Sequence, residues 1–265
     1  MNETLDISIY SLALGFLLMV LPIIGFIYFK VRIIKETLIS ILRMIIQLSL
    51  IAVYLEYIFE WNNAWINASW VIAMVMVGAY TTVKRVGLNY KYFLLPFFIA
   101  GFTSIVILDA FFLGWIIRLD YVFDARYFIP ITGMVLGNAL NHNIVGVSNY
   151  FDRLDKEQDL YYFLLINGSS RKKALEPFIS SSIRKGLNPL IATMSVIGLI
   201  SLPGMMTGQI LGGSSPVVAI KYQILIMLAV FVGSTLNLMI CILLANRHIF
   251  DSFGSIKPNI LKKTR

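Results

Sequence analysis

Cysteine, histidine and charge are all scarce in this chain, and each scarcity removes a class of function. The single cysteine, Cys241, excludes an internal disulfide and any cysteine-based metal cage. Only two histidines occur, His142 and His248, far apart in sequence, which argues against a histidine-based metalloenzyme. No G-x-x-x-x-G-K run followed by Ser or Thr is present, so the chain has no Walker loop for ATP. H-E-x-x-H and G-x-S-x-G motifs are missing as well. Charged residues fill 14% of the 265 positions, where soluble domains carry about 25%.

What is abundant is apolar. Hydrophobic residues make up 58% of the chain and the mean hydropathy is +0.80. A soluble core cannot hide that much apolar surface, so lipid must be the solvent for much of it. The net charge of +8 comes from short basic clusters between apolar runs. That distribution fits membrane orientation rather than a footprint for nucleic-acid phosphates.

A bilayer core takes about 20 mostly apolar residues per helix. Seven segments meet or approach this: about 8–29, 37–59, 64–83, 92–117, 127–149, 189–203 and 219–245. The expected fold class is therefore all-α: a polytopic membrane bundle of about seven transmembrane helices with one cytoplasmic amphipathic loop. Counted over alternating loops, eighteen Lys and Arg fall on one side and Arg118, Arg126 and Lys221 on the other, with Arg43 inside a span. The positive-inside rule puts the larger set in the cytoplasm, the amino terminus outside and the carboxyl terminus inside. No cleavable signal peptide is expected, because the first span follows Glu3 and Asp6 and no A-x-A site follows it. With no repeat or low-complexity stretch, residues 1–265 read as one transmembrane domain. A loop of about 150–188, broken near Asn167-Gly168, and a basic tail at 246–265 would lie in the cytoplasm. Pro177 would kink the loop's second helix or start a new one.

The run from Pro189 to Ala245 holds a Gly- and Pro-punctuated segment at 203–213 that is too apolar for a loop and too interrupted for one helix. Such breaks survive at membrane depth only beside protein or a water-filled cavity. Polar residues recur within the spans. Glu36, Ser40, Arg43, Gln47 and Tyr54 share one helical face, at about 100° per residue. Arg43 either snorkels to the inner interface or belongs to a stripe lining a conduit. In the fifth span, Gly133 and Gly137 form a GxxxG step suited to close packing. The amides Asn138, Asn141, Asn143 and Asn149, with His142, either bond between helices or line the pathway. Met205, Met206 and Gln209 offer soft and neutral ligands near the outer end, although Met also serves as a gap-filler. Asp109 is a proton or cation site, or else sits at the interface.

These motifs resemble a known family. The stretches Pro130-Ile-Thr-Gly-Met-Val-Leu-Gly-Asn138 and Leu202-Pro-Gly-Met-Met-Thr-Gly-Gln-Ile-Leu-Gly-Gly213, followed by Ser215-Pro216 and Lys221-Tyr222-Gln223, are similar to the FetB/YbbM family of ABC transporter permeases. Arg43 and Gln47 look like that family's early polar pair. The resemblance spans about residues 36–245. It implies a transport subunit rather than an enzyme, binding no cofactor itself and working as a homodimer with a cytosolic ATPase subunit that holds ATP and Mg. Bacterial members are linked to iron export and plant relatives to aluminium tolerance. By the same resemblance, Arg171, Lys172, Ala174, Pro177 and Arg184 would couple the loop to the ATPase. The rival readings are a stand-alone secondary transporter or channel for cations or metabolites, and, third, a membrane enzyme acting on lipids.

Overall fold

The computed structural model describes residues 7–257 and residue 260. Glu3, Asp6 and the tail residues Lys262, Lys263 and Arg265 lie outside the described residues. The fold is all-helical, and among the described residues only two isolated β-bridges interrupt it. In chain order the helices are α1 (Ile9–Phe16), α2 (Val20–Tyr28), α3 (Ile34–Trp61), α4 (Ala64–Val86), α5 (Tyr90–Asp109), α6 (Ala125–Lys156), α7 (Gln158–Ile166), α8 (Arg171–Val196), α9 (Gly204–Leu211) and α10 (Pro216–Ile249). A 3₁₀ turn at Leu17–Met19 joins α1 to α2, and a π-helical segment, Ala110–Ile116, extends α5.

Local chemistry sets the helix ends. Side-chain oxygens of Asn63, Asn89, Asp124, Ser170 and Ser215 accept backbone N–H groups at the starts of α4, α5, α6, α8 and α10. Each satisfies a donor that the first turn leaves orphaned. The α3–α4 turn uses Asn62 at φ 38, and its Oδ1 accepts from Ala125 N at 2.9 Å. Asn67 donates to that same oxygen and to the Phe123 carbonyl. Three helix ends are thereby stitched together at one end of the bundle.

Helices α4, α5, α6, α8 and α10 form the packed body. One apolar cluster lies toward the Gly87 end, around Phe93, Tyr150, Phe151, Tyr161 and Phe178. The other lies toward the Asn62 end, around Val71, Val75, Leu113, Val135 and Ile226. Five stretches are long and apolar enough to cross a bilayer: Ile9–Tyr28, Ile34–Trp61, Ala64–Val86, Tyr90–Ile116 and Pro216–Ile249. The fifth and sixth expected spans fall in α6 and α8, which are more polar than those five.

The segment at 150–188, expected as a cytoplasmic loop of one or two amphipathic helices, is helical and continuous with the packed body. Residues 150–156 complete α6, α7 follows, and α8 runs through both Pro177 and Pro189 to Val196. The expected span at 189–203 is thus the last portion of a longer helix, followed by a turn with Gly198 at φ 84. An interior proline costs about 3 kcal/mol or more, yet buried Ala174, Phe178, Ser182, Gly186 and Leu190 bind this helix to its neighbours. Tertiary packing overrides the punctuation. The break at Asn167-Gly168 does fall between α7 and α8 as expected.

The expected GxxxG contact is not the close one. A Cβ on Gly133 would meet only the flexible end of Met74, and one on Gly137 would meet nothing within 4 Å. Close approach occurs between Gly146 of α6 and Gly186 of α8, where a Cβ on Gly186 would stand 3.0 Å from the His142 carbonyl and 3.2 Å from Gly146 Cα. Leu238 of α10 wedges into the same crossing. Gly186→Ala should therefore push the α6 and α8 backbones away from each other and cost about 1–3 kcal/mol. Gly137→Ala should be neutral or mildly stabilising. Thermal unfolding in detergent separates the two; equal effects would contradict the crossing.

Helices α1 to α3 stand apart. No described residue of α1 or α2 is buried, and in α3 only Ile58 is. Contact between α3 and the body centres on its C-terminal half, through Ile58 and the Tyr54–Trp70 ring pair at 4.4 Å.

Candidate functional site

The polar residues of α6 divide into two sets. Asn143 and Asn149 face inward and bond between helices. Asn149 donates to the hydroxyls of Ser181 and Ser182, and Asn143 reaches Cys241 Sγ at 3.9 Å. Asn138 and Asn141 face out of the body and are exposed, with Gly137 beside them. His142 lies between the sets, half-buried, its Nδ1 3.0 Å from the Gly186 carbonyl. A carbonyl only accepts, so Nδ1 carries the proton and Nε2 keeps its lone pair free.

Asn138, Asn141 and His142 line one recess of 280 Å³ together with Thr193, Ser201 and Met227. The far wall is the end of α8 and the turn after it, where Ile197 and Ser201 form a bridge. Thr193 donates its hydroxyl to Pro189 O at 2.9 Å, and Asn138 donates to Met134 O at 2.9 Å, which leaves the Asn138 Oδ1 for other partners. The recess carries no charge: amide oxygens, hydroxyls and one imidazole share its walls with Pro189, Leu190, Ile197, Pro203 and Met227. Such a donor set holds a cation or a polar solute weakly.

The other residues singled out in the sequence do not join this recess. Gln47 lines a separate, mostly apolar groove of 660 Å³ between α3, α4 and α6, with Met74, Gly133 and Gly137. Arg43, one turn earlier, is exposed. Met205, Met206 and Gln209 ride on α9, which packs on α10. Met206 is buried and Met205 packs against the apolar cluster at that end. Asp109, for which interfacial placement was one expectation, is instead buried in the body at 4% exposure.

At the Gly87 end, α8 presents Lys172, Lys173, Glu176, Ser180 and Arg184 along an open hollow of 850 Å³. Ala174 points the opposite way and is fully buried, so it seats the helix rather than offering a contact. Arg171 stacks its guanidinium over Phe250, 5.3 Å from the ring centre. Pro177 is exposed, and its carbonyl accepts from Arg153 Nη1 at 3.2 Å.

Arg153 was not singled out in the sequence. It pairs through both nitrogens with Glu157 at the start of α7, binds the Pro177 carbonyl of α8 and covers Phe178. One side chain of α6 thus ties three helices. The i,i+4 spacing of Arg153 and Glu157 was the available signal. Two tyrosines of α7 complete the arrangement. Tyr161 donates to Gly254 O at 2.7 Å, and Tyr162 accepts from Ile256 N, so the stretch after α10 is fastened to α7.

Comparison with known proteins agrees with this membrane architecture. The model of the family described as "Uncharacterised protein family (UPF0014)" matches residues 9–250. The chain belongs to the UPF0014 family. A relative from Escherichia coli (strain K12), "Probable iron export permease protein FetB", is 32% identical over 97% of this chain and 98% of its own length. "Protein ALUMINUM SENSITIVE 3" of Arabidopsis thaliana is 31% identical over 72% of this chain and 69% of its own. "UPF0014 membrane protein YjkA" of Bacillus subtilis (strain 168) is 29% identical over 87% and 91%. No solved structure gives a significant match. The UPF0014 chain is thus a multi-pass membrane protein of a permease family, as its motifs suggested.

The Arg153 pair carries a pH dependence. Its hydrogen bonds hold the Glu157 carboxyl below the ordinary value of 4.5. A depressed carboxyl stabilises the fold above its unfolded value and loses that contribution as pH falls through the folded one. The wild-type advantage over Glu157→Gln in thermal unfolding should shrink as the sample is acidified below about 4.5. The partial exposure of the pair keeps the effect small. An advantage that grows with acid would contradict the sign.

Proposed function

We propose that this chain is the membrane-spanning subunit of an ATP-driven exporter, assembled as a homodimer with two copies of a cytosolic ATPase. The observation that carries this is the outward amide face of α6. Gly137, Asn138 and Asn141 sit on a helix whose neighbours are built for lipid. Asn138 bonds only within its own helix, through Met134 O, and its Oδ1 and the exposed Asn141 would be costly against hydrocarbon, because polar groups at membrane depth turn toward protein or water. A second copy across this face, with a water-filled passage between the two, satisfies that requirement.

In this reading α6 and α8 cross the membrane with the five apolar stretches, giving seven spans with the amino terminus outside and the carboxyl terminus in the cytoplasm. The Gly87 end then faces the cytoplasm. Its basic hollow on α8 is the docking surface for the ATPase, which supplies ATP and Mg. Because α8 is continuous from Lys172 to the recess, dimer closure of the ATPase has a rigid lever to act on. Closure does work only if it favours one arrangement of the permease over the other.

The name of the Escherichia coli relative points to iron as cargo. Imidazole nitrogen and amide oxygen suit a first-row divalent ion in transit. Arg43 lies outside the lining of the recess and stands at the lipid or partner side of α3.

Two variants test the halves of the proposal in liposomes holding the chain with its ATPase. Asn141→Leu should lower ATP-dependent iron efflux by about 10-fold or more, the loss expected when a polar contact is left unmade, while the complex still co-purifies. The double variant Lys172→Glu, Lys173→Glu should lose co-purification. Efflux by the chain alone, without any ATPase, would sink the proposal.

A further inference from the structure

Among the described residues Asp109 is the one acidic side chain buried inside the body, and no basic group neutralises it. Its Oδ2 lies 2.7 Å from the hydroxyl of Thr132 of α6, itself fully buried. Its Oδ1 is enclosed and has no hydrogen-bond partner. The Arg153–Glu157 ion pair sits at the other end of α6.

The ionisable groups on the surrounding elements do not serve it. Arg118, Asp120 and Asp124 lie in the connection after the π segment, and Asp124 caps α6. Arg126 and Tyr127 open α6, while Lys221 and Tyr222 belong to the first turns of α10; all four are exposed or half-buried. Glu56 and Glu60 are exposed on α3. Lys84, Arg85 and Lys91 are at the opposite end of α4 and α5. His142 is ten residues past Thr132, about 15 Å along α6, and Cys241 is at a similar level. A carboxylate held by one hydroxyl in a lipid-embedded core is strongly disfavoured, and such a group takes up a proton instead.

We propose that Asp109 with Thr132 forms an intramembrane proton-binding site, occupied in the conformation described. In the neutral form the carboxyl O–H on Oδ2 donates to the Thr132 oxygen, a change of roles between the same two atoms. Oδ1 is then a carbonyl oxygen, for which an unmade bond costs far less than for a carboxylate. The π segment beginning at Ala110 gives the site a way to open. Its bonds reach one residue further than in an α-helix, as from Ile117 N to Phe112 O at 2.9 Å. Such segments are frequent where helices rearrange for function. When this end opens and water enters, the carboxyl releases its proton to the solvent; when it closes, a proton from the same side is taken up. The site concerns proton uptake by this chain and stands whether or not an ATPase drives the cargo.

Infrared absorption of the full chain at neutral pH, in potassium and in sodium buffers, tests this. Surface carboxyls are ionised there, so a protonated-carboxyl band reports a shielded group. The expected result is such a band in the wild type in both buffers, its loss in Asp109→Asn and its shift to higher frequency in Thr132→Val. No band, a band that survives Asp109→Asn, or no shift in Thr132→Val would overturn the proposal. A band present in potassium and abolished by sodium would replace it with a cation site. If Asp109→Asn does not fold, the Thr132→Val shift still decides.

Discussion

The crossing of α6 and α8 at Gly146 and Gly186 is the contact on which the rest of the molecule depends. Only with no side chain on either helix do the backbones come close enough for Gly186 O to receive the imidazole proton of His142. That bond turns the free Nε2 of His142 away from Gly186 and helps set the recess. The same crossing seats Leu238 of α10, which draws the third helix of the body onto the pair. Lipid offers no hydrophobic drive between helices, so close backbone packing and interhelical bonds hold them together. The Asn149 bonds to Ser181 and Ser182 lie just beyond the crossing and serve that purpose.

Two continuous helices run from this crossing in both directions. Helix α6 carries Asn138 on one side of it and Arg153 on the other; α8 carries Lys172 on one side and Thr193 on the other. A displacement at the basic end of α8 therefore reaches the recess through one rod, with Arg153 and the tyrosines of α7 keeping the rods in register. The stretch after α10 is fastened to the same assembly by Tyr161, Tyr162 and the Arg171–Phe250 stack. In the proposed transporter, coupling between the two ends would follow these continuous helices and named contacts.

Much of this was legible in the sequence because hydropathy is a direct readout of solvent. The five stretches apolar and long enough to cross a bilayer, the α7–α8 break at Asn167-Gly168 and the polarity of α6 all followed from residue type. Asn138, Asn141 and His142 do share one recess. The sequence was less informative where packing overrides local preference. Pro177 read as a kink or a new start and Pro189 as the beginning of a span, yet α8 passes through both because its buried face is held by its neighbours. GxxxG at Gly133 and Gly137 read as the packing step, while the true crossing uses Gly146 and Gly186, which no local motif links. Arg43 and Met205 were grouped with the amides because all are unusual in spans; three-dimensional placement separates them. The burial of Asp109 could not be read from its place in the outer half of the fourth expected span, because it depends on how α5 packs against its neighbours.

The central claim is that the amide face of α6 lies between two copies of the chain and opens when nucleotide closes the ATPases. With Cys241 buried and replaced by Ser, a spin label at Asn141→Cys gives one reporter per chain. Dipolar distances measured in the assembled complex should show a single inter-copy separation that changes on adding ATP and Mg. The absence of inter-copy coupling in the intact complex, or a separation indifferent to nucleotide, would contradict the account.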